Sequence, residues 1–216
     1  MIKRQYIGIG LAVLLTFVYA WYEAGRPKEV DWSKTYARED KIPYGTYILY
    51  RSLPHLFPEA KVVTMNYPLF EGLQQVENER NTVYFSVSSR FAIDGVELKR
   101  LLDWIGRGNS AFIAANRIAD TLLSVLGVER DYTEKTAGFR LLYGDLETKI
   151  YPEDGNGCLY FKLPEDFAGE VLGRNERDSF PHFIRIPYGE GQLLLNIKPS
   201  LFTNHAVLDS ARGDYY

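Results

Sequence analysis

Asp94-Gly-Val-Glu-Leu-Lys-Arg-Leu-Leu-Asp-Trp-Ile-Gly106 is the stretch on which the fold turns. Asp94 and Glu97 stand three apart ahead of an apolar stripe, the spacing of a capping box, in which carboxylates and backbone N–H groups satisfy one another at a helix start. Leu98, Leu101, Leu102 and Ile105 then follow the i, i+3, i+4, i+7 spacing of one buried helical face, and Gly106 and Gly108 close the helix. On its N-terminal side Thr82-Val-Tyr-Phe-Ser-Val-Ser88 is rich in β-branched and aromatic residues and reads as a strand. On its C-terminal side Ser110-Ala-Phe-Ile-Ala-Ala115 is almost continuously apolar, as a strand covered on both faces must be. Strand, helix and strand in this order predict a parallel pair joined by a right-handed crossover.

Further out, residues 44–53 read as a helix. Pro43 sits at its start, where a missing N–H costs nothing; Ile48, Leu49 and Leu53 form its apolar face, and Pro54 and Pro58 end it. Lys61–Met65 reads as a short strand, and a short helix through Leu126 stops at Gly127. From about residue 136 the pattern changes to short strands at Phe139–Tyr143, Thr148–Tyr151 and Cys158–Lys162, with a hairpin turn signal at Asp154-Gly-Asn-Gly157. His182–Ile186 and Gln192–Ile197 flank the glycine-rich turn Tyr188-Gly-Glu-Gly191. The expected fold class is α/β: a mostly parallel Rossmann-like sheet with flanking helices and a β-rich, largely antiparallel C-terminal half.

The N-terminus carries a different signal. No charge occurs from Gln5 to Tyr22, and as a helix Tyr6–Tyr22 would span about 27 Å, close to a hydrocarbon core. Tyr19, Trp21 and Tyr22 cluster at the far end, where amphipathic rings favour the interface, and Lys3 and Arg4 precede the run as cytoplasmic anchors. The reading is one N-terminal transmembrane helix, residues 1–24 with the bilayer contacted through 6–22, then a linker at 25–41 and an extracytoplasmic α/β domain at 42–216. The topology expected is single-pass in the cytoplasmic (inner) membrane, N-terminus inside, with the domain in the periplasm or exterior. The alternative is a signal peptide cleaved after Val18-Tyr19-Ala20, which would leave Trp21 as a bulky new N-terminus. At the other end Asn204–Tyr216 reads as the beginning of a helix. The chain is expected to lack a C-terminal part that would finish the helical layer, leaving an uncovered apolar patch near 193–208.

A length of 216 residues suits one domain plus an anchor. Beyond residue 22, 23 of the 25 basic residues remain against all 28 acidic ones. A mildly acidic domain excludes a nucleic-acid partner, because that affinity comes from basic surface meeting phosphates. Cys158 is the one cysteine. It rules out a disulfide within the chain and an all-cysteine metal site, and is expected to be buried.

Trp32-Ser33, Asp40-Lys-Ile-Pro43-Tyr44-Gly45-Thr46-Tyr47, the strands at 82–88 and 110–115, Asp103-Trp-Ile-Gly-Arg-Gly108, Tyr188-Gly-Glu-Gly-Gln192 and Lys198-Pro-Ser-Leu-Phe-Thr-Asn204 together resemble the bacterial domain of unknown function 4350 family, over about residues 30–210. The resemblance implies a degenerate class I glutamine amidotransferase-like fold. It also implies a place beside gliding-motility-type transporter subunits, MoxR-type AAA+ ATPases and other integral membrane proteins. Members often carry a second transmembrane segment after the domain; this sequence ends at Gly213-Asp-Tyr-Tyr216.

An amidotransferase needs a cysteine on a tight strand-to-helix elbow. The corresponding turn, Ser86-Val-Ser88-Ser89-Arg90, has neither cysteine nor glycine, and Cys158 lies in the β-rich half. A serine triad would have to draw on Ser88 or Ser89 with His182 or His205, and the histidines His55, His182 and His205 have no spacing relation. Metal-ligand spacings are absent, and Asp154-Gly-Asn-Gly157 is too short for a calcium loop. Gly106-Arg-Gly108 and Gly189-Glu-Gly191 close a helix and turn a hairpin, whereas a phosphate loop opens a helix. The binding candidates are Tyr44, Gly45, Thr46, Ser88, Ser89, Asn204 and His205, near strand ends where open α/β sheets bind ligands. No catalytic residue, metal or cofactor is expected. The function expected is a non-catalytic, membrane-tethered binding or assembly module of a bacterial membrane complex, linked to a MoxR-type ATPase or transporter system. An extracytoplasmic hydrolase with a cryptic site and a substrate-binding accessory of a transporter are the alternatives.

Overall fold

A computed structural model describes residues 2–26, 29–134, 139–143, 146–150, 158–175 and 178–208, with backbone alone at 2–5, 7, 24, 139–143 and 146–150. The chain divides into two compact units, Met1–Asp31 and Trp32–Tyr216. In the first, α1 (Ile2–Ala24) is helical where the anchor is expected. Its described apolar side chains are exposed, from Val13 at 52% to Trp21 at 85%. Among the described residues no helix is long and apolar enough to cross a membrane.

The second unit is built on the strand–helix–strand core. Strands β1 (Val83–Phe91) and β2 (Ser110–Ile118) pair in parallel, and α4 (Gly95–Gly106) connects them. The capping box forms: Asp94 accepts from the N–H groups of Val96 and Glu97 at 2.8 Å each, and Glu97 accepts from that of Asp94 at 3.4 Å. Leu98, Leu101, Leu102, Trp104 and Ile105 are the buried face.

Seven strands make one sheet in the order β1-β2-β9-β8-β7-β4-β5, with β4 at Phe139–Tyr143, β5 at Leu146–Ile150, β7 at Glu170–Asn175, β8 at Pro181–Tyr188 and β9 at Gly191–Asn196. The β1–β2 and β2–β9 ladders are parallel and the others antiparallel. Following these pairings, β1, β2, β9, β7 and β5 run one way and only β8 and β4 run back. The sheet is therefore mixed, mostly parallel in direction yet antiparallel along most of its ladders. The C-terminal half is not a separate β layer, because β9 returns to pair with β2. A second small sheet pairs β3 (Glu129–Thr133) with β6 (Cys158–Lys162).

Both faces of the large sheet are covered, which is why β2 is apolar almost throughout. One face buries Ala111, Ile113, Leu193 and Leu195 against Leu101, Leu102 and Ile105 of α4 and Leu122 of α5 (Asp120–Val125). The other packs Phe112 and Ala114 against Leu49, Leu201 and Phe202, with Cys158 buried in this cluster as expected.

Several boundaries differ from the sequence reading. Helix α2 spans Tyr47–Leu56, starting three residues late because Pro43–Gly45 is held in a turn, with the Gly45 N–H on Ile42 O at 3.0 Å. It runs through Pro54, which in the last turn forfeits only one bond, to Tyr50. The strand expected at Lys61–Met65 is irregular and mostly exposed, and it pairs with no described strand. Helix α3 (Leu69–Gln75), β3 and β7 were not foreseen. The turn at Asp154–Gly157 lies outside the described residues. The uncovered patch expected near 193–208 is absent among the described residues: Leu193, Leu195, Ile197, Leu201, Phe202 and Ala206 are buried, under α4 on one side and beneath the 3-10 turn Pro199–Phe202 and α6 (Asn204–Leu208) on the other. Leu208 alone of these apolar side chains is exposed.

Candidate functional site

Five of the seven candidate residues meet where the segment 32–46 packs on the start of α6. Beyond β9 the chain makes the 3-10 turn and enters α6, which brings Asn204 under the loop. The Asn204 side chain is buried and both ends of its amide are engaged: Nδ2 donates to Asp40 O at 2.8 Å and Ile42 O at 2.7 Å, and Oδ1 accepts the Ile48 N–H at 2.9 Å. Its own N–H donates to Gly45 O at 2.8 Å and that of His205 to Pro43 O at 2.9 Å. Thr46 is buried, donating from Oγ1 to Tyr36 O at 3.1 Å and from N to Ala37 O at 3.0 Å. Tyr36 sits at φ 52°, in the left-handed region, and donates to Tyr44 O at 2.9 Å.

Aromatic rings close the same spot. Trp32 meets Tyr44 edge-on at 6.1 Å and His205 at 5.7 Å, and the Lys34 ammonium lies 5.0 Å from the Tyr44 ring. Gly45 is required by close approach, because a Cβ there would fall 2.1 Å from Asp40 O. Tyr44, Gly45, Thr46, Asn204 and His205 therefore form a clasp in which described polar groups bond to backbone.

Ser88 and Ser89 do not sit on a turn. They lie within β1, which continues three residues beyond the expected strand, so the strand-to-helix elbow sought at 86–90 does not form. Ser88 donates to Arg90 O at 3.1 Å, and among the described residues neither serine is hydrogen-bonded to a histidine. His182 is buried on β8 against Gly173, where a Cβ would lie 2.6 Å from the ring. The two glycine pairs read against phosphate loops pack on each other: Glu190 N donates to Gly106 O at 3.0 Å, and a Cβ on Gly189 would fall 2.7 Å from Gly106 Cα.

The sequence reading missed a groove of about 320 Å³ between α3 and α4. Glu77 lies 3.8 Å from both Arg100 and Arg107, and the Arg100 guanidinium lies 4.2 Å from the Phe70 ring. Pro68 followed by Leu69, Leu73 and Val76 at helical spacing was the available signal. A second surface feature is the ion-dipole pair on the small sheet. Tyr132 N–H and then the Tyr160 hydroxyl, at 2.8 and 2.9 Å, hold the Asp131 carboxyl below its ordinary range, and the same bond pushes the Tyr160 phenol up. Among the described residues no group of His, Cys, Asp or Glu is arranged to hold a metal ion.

No protein-family model matches this sequence, and no curated protein matches it. Solved structures do. The N-terminal domain of mmIFT52 superposes with a TM-score of 0.57 at 9% identity, over 76% of this chain and 85% of that domain. The exo-β-1,4-mannosidase Op5Man5 from Opitutaceae bacterium strain TAV5 superposes with a TM-score of 0.53 at 13% identity, over 88% of this chain. This chain spans 34% of the mannosidase's length, about a third. The likeness is one of fold alone, an α/β domain shared with parts of those two structures.

Proposed function

We propose that the chain is a non-catalytic, membrane-tethered binding or assembly module of a bacterial membrane complex, with its α/β domain in the periplasm or exterior. The observation that carries the reading is the clasp. The Asn204 amide, on the helix that follows β9 in the chain, and the Thr46 hydroxyl bond to the protein's own backbone. The serines at the amidotransferase elbow position run on within a strand. Support for the tether is the uncharged Gln5–Tyr22 sequence within a 23-residue helix whose described apolar side chains are exposed.

The finer reading is membership of the domain of unknown function 4350 family, with a MoxR-type ATPase or transporter system as the partner class. The glycosidase activity in one structural neighbour's name belongs to that protein and is not proposed here. Crosslinking of the native membrane protein, followed by identification of its neighbours, tests the proposal. Integral membrane proteins or their ATPase are the expected neighbours. A chain recovered alone from the soluble fraction, or one that turns over an amide or ester substrate, overturns it.

A further inference from the structure

Strand β1 ends the large sheet, and no described strand pairs with its outer side. Which groups it presents follows from the ladder. Ser110 N donates to Thr82 O at 2.9 Å and Thr82 N to Asn109 Oδ1 at 3.0 Å, so Thr82 turns both backbone groups toward β2. Alternate residues of a parallel strand do the same. Tyr84, Ser86 and Ser88 therefore face β2 through the unbroken register 83–88, and Val83, Phe85 and Val87 direct N–H and C=O outward. The first two also expose apolar side chains, Val83 at 57% and Phe85 at 39%.

Soluble proteins blunt such edges with proline, lysine, bulges or short strands. Val83–Phe91 is nine residues long and contains neither proline nor lysine. We infer that the β1 edge is an interface on which β1 of a second copy of this chain pairs antiparallel, about a two-fold axis through Phe85. That register sets Phe85 opposite Phe85 of the second copy and Val83 opposite its Val87, so each outward residue meets an apolar one and exchanges backbone bonds with it. Charges of both signs stand at each end of the edge, with Asp94 following β1 at its carboxyl end and Arg80 preceding it at the other. Arg90 and Arg117, in register and exposed, stand at the carboxyl end of the edge. Glu79 and Glu190 lie at the other end, Glu190 beside Arg80 at 3.3 Å. Antiparallel pairing carries Arg90 of each copy to the end of the other at which Glu79 and Glu190 flank Arg80. The closed two-fold buries both edges, as an isologous interface does, and does not depend on how α1 is read.

Disulfide trapping in the full-length protein, purified in detergent, tests this pairing. Opposed residues of a hydrogen-bonded pair stand about 5.5 Å apart at Cα, within disulfide reach, and the native Cys158 is buried. Phe85→Cys is expected to give a disulfide-linked dimer on mild oxidation in at least about tenfold excess over Val96→Cys, a 65% exposed position on α4. Adding Val83→Lys to Phe85→Cys is expected to cut the trapped dimer at least about fivefold, because two lysines then flank the shared edge; Val83 lies outside both buried cores. Equal trapping at positions 85 and 96, no trapping at 85, or trapping that survives Val83→Lys each overturns the inference.

Discussion

The side-chain carbonyl of Asn204 accepts the backbone N–H of Ile48 at 2.9 Å, so α2 is capped by a residue 156 positions away. Thr46, the local N-cap residue, makes no side-chain cap bond; its hydroxyl is turned to Tyr36 O instead. Loop 36–46, α2 and α6 are thus one cooperative unit, and Asn204 is its hub.

Asn204→Ala should therefore destabilise the domain by about 2–4 kcal/mol, since it removes a buried side chain and strands one part-buried N–H and two part-buried carbonyls. Asn204→Asp keeps the acceptor and loses both donors, and should also destabilise. Urea unfolding followed by circular dichroism measures both; a loss below about 1 kcal/mol for the alanine variant would contradict the hub.

Gly45 and Gly95 should respond oppositely to alanine. A methyl at Gly45 meets Asp40 O at 2.1 Å, whereas one at Gly95 finds nothing within 4 Å. Gly45→Ala is expected to lower stability by at least about 1 kcal/mol. Gly95→Ala, in the first turn of α4, is expected to be neutral or to raise it by about 0.4–1 kcal/mol. Paired melting curves decide, and the reverse order would refute the geometry.

Trp104 ties α4 to the segment after α3 through its indole N–H, which donates to Val76 O at 3.1 Å. Trp104→Phe keeps most of the buried ring and removes that bond. Stability should fall by about 1 kcal/mol, and amide exchange should quicken across 69–76 more than in β2. Uniform quickening would mean that the contact is not local.

Acid sensitivity should include a contribution from Asp131. Its carboxyl is held below the ordinary 3.8 in the fold, so its stabilisation is complete above that value and fades as pH falls through the lower folded-state value. Tyr160→Phe removes one of the two bonds responsible. It should bring the Asp131 titration, followed by carboxyl NMR shift, back toward 3.8. An unchanged midpoint would remove the Tyr160 hydroxyl as a cause.

Membrane tethering predicts that Leu14→Arg with Leu15→Arg releases the protein from membranes, because each central arginine costs about 2.5–3.5 kcal/mol on insertion scales. A periplasm-dependent reporter fused at residue 40 should be active. Retention of the double variant in carbonate-washed membranes, or reporter activity confined to the cytoplasm, would refute the topology.

Periodicity over 94–106 together with the flanking strands determined, without further help, the β1–α4–β2 crossover, its capping box and its buried face. Capping and amphipathic spacing are local, so neighbouring residues carry the whole signal. The same holds for the β8–β9 hairpin and its glycine turn. Tertiary structure alone decided that β9 pairs with β2, that Lys61–Met65 stays irregular, and that β1 runs on through Ser88 and Ser89. Strand pairing is a contact between distant segments, and one sequence does not encode which edge a strand will find. The site divides in the same way: Tyr44, Gly45, Thr46, Asn204 and His205 could be named from turn and cap chemistry. That Asn204 spends its amide on Asp40, Ile42 and Ile48 depended on α6 folding back beneath residues more than 150 positions earlier.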